Sequence, residues 1–153
     1  MAWALTDRMR GALLMVFLFA SAVCHADCID EASKYHQVHS YVLRAIAFQE
    51  SRMRPWAVNH NNDGSTDFGM MGINSVHLSE LDRYGVKPHQ LFDPCVSAYV
   101  AAWYLRQKMD KYGNTWRAVG AYHSETPQAG AVYAAQIKRI LHSWGLGQRE
   151  PVR

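Results

Sequence analysis

How three cysteines sort between a leader and a body constrains this 153-residue chain more than any other feature. Arg8 and Arg10 make a positive start, Gly11 to Ala22 is a short apolar run, and Cys24-His25-Ala26 offers small residues for a cut ahead of Asp27. This pattern predicts a signal peptide over residues 1–26, with a cut after Ala22 as the alternative. The apolar run falls well short of the roughly 20 residues that span a bilayer. Val23 is also bulkier than the residue that usually precedes a lipid-bearing cysteine. Cys24 therefore leaves with the leader. Cys28 and Cys95 remain, and an even pair in an exported chain reads as a disulfide. Such a bridge closes a loop of about 67 residues and is worth on the order of 4 kcal/mol in the chain-entropy description.

Residues 27–153 suffice for one domain around one core. No second apolar stretch approaches spanning length, so the exported chain is expected to be soluble, monomeric and periplasmic, without a stable membrane span. Without Arg8, Arg10 and Asp7, the 16 basic and 13 acidic side chains fall to 14 and 12, a formal charge of +2. That is too mild for nucleic acid, and no basic stripe of the kind duplex binding requires is present. Five Trp and eight Tyr are more telling. Some belong to the core, but flat aromatics also stack on sugar rings.

The elements read as mainly α. Asp27 is placed to cap a short helix through Ser33 and Tyr35, and Ser40 to cap a second one that carries Glu50. Residues 59–69 are saturated with turn formers and predict a loop or small hairpin leading into Met70-Met71-Gly72-Ile73-Asn74. A third helix is expected over Val76 to Tyr84. Asp93-Pro94 opens the longest, which runs to Tyr112 and closes at Gly113. Thr115 to Ala121 and Ala131 to Ser143 complete the set, and residues 147–153 read as a flexible tail.

Within the second helix, Leu43, Ile46 and Ala47 recur at helical spacing, and three residues on from Ala47 the same stripe ends on Glu50. A carboxyl on a buried stripe is penalised when charged, so its pKa rises toward the range a general acid needs. Arg52, Arg54 and Pro55 follow, which stops the helix just past the acid. A buried glutamate paired with one of those arginines is the other reading of the stripe. Metal chemistry finds no support. Asn59, Asn61, Asp63 and Gly64 imitate the start of a calcium loop, but its twelfth position is Met70 rather than a bidentate glutamate. There is no His-Glu-x-x-His, no Cys-His cluster and no phosphate-cradling loop, so no metal and no cofactor is expected.

Three elements in order remain: Glu50-Ser51 at a helix end, Gly69-Met70-Met71-Gly72-Ile73-Asn74, and Ala121-Tyr122-His123-Ser124. In this arrangement the chain resembles the lytic transglycosylases of the soluble-lytic, goose-lysozyme-like kind. It is most similar to the small, one-domain members that accompany secretion, conjugation and pilus machines. The resemblance covers Cys28 to about Leu141. It implies a lysozyme-like helical domain over residues 27–146, acting on the glycan strands of peptidoglycan. It also implies components of such a machine as partners.

The resemblance assigns roles residue by residue. Glu50 matches the catalytic acid, which cleaves the bond between N-acetylmuramic acid and N-acetylglucosamine and leaves a 1,6-anhydro end. Tyr122 matches the tyrosine of an Ala-Tyr-Asn motif, expected to hydrogen-bond at the catalytic site and help position Glu50. Ser51 is expected to orient the carboxylate. Gly69, Met71, Gly72, Asn74 and His123 fall on the sugar groove, with Gly69 admitting close substrate approach and Met71 packing beneath it. Met70 and Ile73 are expected in the core. Two departures bear on how the glycan is held: Gly72 replaces a glutamine of the family pattern, and His123-Ser124 replaces Asn-Ala. Glu125 and Asp67 are expected in surface or turn roles. If either faced Glu50 across the cleft it could activate water, giving a muramidase. A non-catalytic glycan-binding or assembly module is the other alternative.

Overall fold

A computed structural model describes residues 24–146, with side chains from Cys28 onward. Most of the expected leader, residues 1–23, and the expected tail, residues 147–153, lie outside the described residues.

The elements are α1 (Cys24–His36), α2 (Ser40–Ser51), a hairpin of β1 (Val58–His60) and β2 (Thr66–Phe68), β3 (Ile73–Asn74), α3 (Leu78–Arg83), α4 (Pro94–Tyr112), α5 (Trp116–His123) and α6 (Pro127–Ser143). Short 3₁₀ turns at Ser75–His77 and Pro88–Phe92 fill the connections. The fold is thus mainly helical and lysozyme-like, with a small antiparallel sheet ordered β1-β2-β3. Asp67 of β2 pairs with Asn59 of β1 and Asn74 of β3, and Phe68 with Val58 and Ile73.

Several boundaries differ from the sequence reading. Helix α1 starts at Cys24 rather than at Asp27. Ser40 is the first residue of α2, and the cap position belongs to His39, which makes no side-chain cap bond. The helix expected over Val76 to Tyr84 divides into a 3₁₀ turn and α3. Helix α6 begins at Pro127, four residues earlier than expected, because proline at the first turn forfeits only an amide that has no helical acceptor there.

Helix α4 sits at the centre. Its Ala98, Ala101, Ala102, Leu105 and Met109 recur at helical spacing and are buried, and the small residues let α1 and α5 pack close. Asp93 caps it by accepting from the amides of Cys95 at 2.8 Å and Val96 at 3.0 Å. The Cys28–Cys95 disulfide fastens α1 to this first turn, with the two Cα atoms 5.0 Å apart. At the far side, α5 and α6 meet backbone to backbone. A Cβ added to Gly120 would lie 2.3 Å from the Gly130 carbonyl oxygen, so only glycine allows that approach. The contact brings Tyr122 of α5 and Tyr133 of α6 into a stack, ring centroids 6.4 Å apart.

The bridge spans 67 residues of sequence. Replacing Cys28 and Cys95 together by alanine is expected to cost about 2–4 kcal/mol, measured by urea unfolding with the slope fitted separately for each protein.

Candidate active site

Helix α2 buries Leu43, Ala45, Ile46 and Ala47 completely, and the same face delivers Glu50 to the rim of a cleft. The helix then stops abruptly. Arg52 and Met53 both take left-handed backbone, with φ of 57° and 65°. Two adjacent side-chain-bearing residues there cost roughly 1–2 kcal/mol each. Hydrogen bonds hold the turn. The amides of Arg52 and Met53 reach Phe48 O at 3.0 Å and Ala47 O at 3.2 Å. Buried Ser51 donates its hydroxyl to Met70 O at 2.8 Å and accepts the Arg54 amide at 2.9 Å. Arg54 Nε donates to Ser51 O at 2.8 Å, and the Arg52 guanidinium lies over the Phe48 ring. Neither arginine takes the place of an ion-pair partner for Glu50 among the described residues.

What Glu50 does have is Tyr133. Its hydroxyl donates to Glu50 Oε1 at 2.5 Å. The other oxygen, Oε2, lies under Gly72, where an added Cβ would come within 2.8 Å of it. A side chain at position 72 in this backbone, φ +61°, would press on the carboxyl. Burial pushes the Glu50 carboxyl up to about 7; the Tyr133 hydrogen bond pulls it down and the nearby Asp67 charge adds a smaller push upward. The carboxyl then keeps its proton into the neutral range. Burial, and next the Glu50 charge, keep the Tyr133 and Tyr122 phenols neutral, so both serve as donors.

The cleft holds about 390 Å³. One wall is the hairpin with β3 and contributes Asn61, Asp63, Ser65, Asp67 and Asn74. His77, Trp103, Tyr104, Tyr122 and His123 also line the cleft. Asp67 is clamped by two side-chain amides: Asn74 Nδ2 donates to Oδ1 at 2.7 Å, and Asn61 Nδ2 to Oδ2 at 3.0 Å. It stands in strand β2 and faces the cleft, correcting the expectation of a surface or turn role. Glu125 lies away from the cleft and accepts from Lys108, Lys111 and Tyr112, which lower its pKa to about 2. No cluster of three or more metal-ligating side chains occurs among the described residues.

Of the residues the sequence singled out, Glu50, Gly72, Asn74, Tyr122 and His123 line the cleft together. Three others lie behind it. Ser51 braces the turn, and Met71 is fully buried. Gly69 faces the Leu91 carbonyl, 2.0 Å from an added Cβ, so its missing side chain admits the protein's own backbone rather than a substrate. Tyr122 donates to Met71 O at 2.9 Å, and the phenol that reaches Glu50 is Tyr133. Tyr133 was legible in principle. With Ile137 and Leu141 it forms the buried stripe of α6, and a hydroxyl on such a stripe needs an acceptor. His123 covers the Tyr133 ring in a near-parallel stack at 4.9 Å.

Two outcomes follow from this geometry. The folded pKa of Glu50 exceeds the ordinary 4.5, so the native state binds the extra proton between pH 4.5 and 7 and pays for ionisation above that window. Glu50→Gln should therefore match the parent in stability below pH 4.5 and exceed it by about 1–3 kcal/mol at pH 8, measured by chemical denaturation across pH. Tyr133→Phe removes a bond that favours the ionised acid. The alkaline limb of any Glu50-dependent activity should move to higher pH, and the rate at the optimum should fall about 10- to 100-fold through lost positioning.

Comparison with known proteins agrees with this geometry. The Transglycosylase SLT domain family matches residues 27–134. Invasion protein IagB of Salmonella typhimurium is 40% identical over 134 residues, covering 86% of this chain and 84% of its own length. Protein IpgF of Shigella flexneri is 41% identical over 119 residues, covering 77% and 78%. X polypeptide of Escherichia coli K12 is 38% identical over 139 residues, covering 86% and 82%. With its helical fold, its cleft glutamate and a match over most of its length, the chain belongs to the transglycosylase SLT domain family.

Proposed function

We propose that this protein is an exported lytic transglycosylase that cleaves peptidoglycan between N-acetylmuramic acid and N-acetylglucosamine. The observation that carries the reading is Glu50: a carboxyl in a cleft, with a pKa of about 7 and one oxygen fixed by Tyr133. Because Oε1 accepts from Tyr133, the transferable proton belongs on Oε2. It passes to the glycosidic oxygen as the bond to C1 breaks, and N-acetylglucosamine leaves with a free 4-hydroxyl. The muramic C6 hydroxyl attacks C1, and its proton returns to Glu50 as the 1,6-anhydro ring closes. No water is consumed, and a single carboxylate serves both steps. Family membership supports the substrate class.

Asp67 favours a second reading. Its carboxylate lines the same cleft as Glu50 and is fixed at both oxygens, a placement suited to holding a water opposite the acid. The enzyme would then be a muramidase. The biological role we propose is local wall opening for a trans-envelope apparatus, in the periplasm after removal of residues 1–26, with residues 27–146 as the enzyme and 147–153 as a tail. Support comes from a 40% identical relative named an invasion protein and from the resemblance to machine-associated enzymes.

Digested peptidoglycan should yield muramic ends lighter by one water than hydrolysed reducing ends, by mass spectrometry. Glu50→Gln should lower cleavage at least about 100-fold. Asp67→Asn should keep the anhydro products. Reducing ends as the main product, lost on Asp67→Asn, would instead establish the muramidase.

A further inference from the structure

Trp56 is the most exposed large apolar side chain among the described residues, at 76% of its surface. It is nonetheless a supported ring. Its indole stacks on Phe92, centroids 5.6 Å apart and planes 27° from parallel. Phe92 in turn meets the Phe68 ring edge-on at 6.2 Å, and Phe68 packs against the core. The backbone beneath is pinned as well, since the Ala57 carbonyl accepts the Gly69 amide at 2.9 Å. Val58, 44% exposed and in register with Phe68, extends the apolar surface. Neither Trp56, Val58, Phe68 nor Phe92 lines the cleft. Asp67 and Phe68 are neighbours in β2, and alternation along a strand sends their side chains to opposite faces of the sheet. The rings therefore stand on the side of the hairpin away from Glu50.

We infer that Trp56, backed by Phe92, is a second glycan-binding site, a stacking platform for one N-acetylated hexose ring of a peptidoglycan strand outside the catalytic cleft. This rests on the glycan substrate proposed above. A whole aromatic side chain offers about 150–250 Å². A stable protein interface needs about 800 Å² from each partner, far more than one indole and a valine supply. One face of a pyranose ring matches the size, and its axial C–H bonds suit the electron-rich face of an indole. A core-anchored ring also loses little freedom when it is covered, which favours binding to a small ligand. A strand held there and a strand in the cleft would bind one insoluble polymer at two points, raising retention without new catalytic contacts.

The test uses the purified Glu50→Gln chain, titrated with the β-1,4-linked tetramer of N-acetylglucosamine and followed through the indole N–H resonances of Trp56 and Trp103. Trp103 lines the cleft and reports its occupancy separately. Both resonances should shift, and Trp56→Ala should leave the Trp103 response unchanged. Trp56→Ala should also reduce retention of the protein on isolated sacculi about 3- to 10-fold, with Trp56→Phe restoring part of it, while cleavage of short soluble glycans by the otherwise unaltered chain stays at the parent rate. A silent Trp56 indole overturns the platform whatever Trp103 does. So does sacculus retention by Trp56→Ala equal to the parent's. A silent Trp103 beside a shifting Trp56 leaves the platform standing and counts against the catalytic reading.

Discussion

The site depends on the removal of one carboxyl from water. Glu50 occupies the last place on a buried helical stripe, and the cost of charging it there holds a proton that an exposed glutamate would lose well below neutral pH. Every neighbour bears on that cost. Gly72 roofs Oε2 with backbone alone, so no side chain displaces the carboxyl. Tyr133 moderates the effect by donating to Oε1, which keeps the pKa about 7 instead of higher. Desolvation and hydrogen bonding oppose each other, and their balance falls near neutral pH.

The scaffold exists largely to bring those neighbours together from distant parts of the chain. Tyr133 lies 83 residues from Glu50 and reaches it because α5 and α6 touch at Gly120 and Gly130. The Tyr122 hydroxyl secures the Met71 carbonyl, next to Gly72, from the same side. Ser97 of α4 accepts the Met71 amide, so the segment over the acid is tied to two helices. The disulfide acts farther off, at the start of α4, where it sets the position of the helix around which the others pack.

Much of this was legible in the chain, and the omissions have physical causes. Periodicity sufficed for α2 and for the acid at its end, because the stripe is strict and long. Asp93-Pro94 located the start of α4, where the cap forms as its residue types require. The start of α6 departs from expectation because Pro127 reads as a breaker as readily as a first-turn residue. Gly69 and Gly72 look alike as glycines of one motif, yet one meets the Leu91 carbonyl and the other the Glu50 carboxyl. Local sequence does not say which side of a loop meets the rest of the molecule. Asp67 departs from expectation for a similar reason: the turn formers around it announce a hairpin, but the face its side chain takes depends on the register with Asn59 and Asn74.

The paired left-handed residues after the acid carry a wider consequence. A conformation that side-chain-bearing residues adopt only under compulsion leaves Arg52 and Met53 a narrow choice of backbone angles. The final turn of α2 therefore has little rotational play, and the direction in which Glu50 points is written into the main chain. Substitutions in the cleft walls can then reshape the space around the carboxyl without re-aiming it.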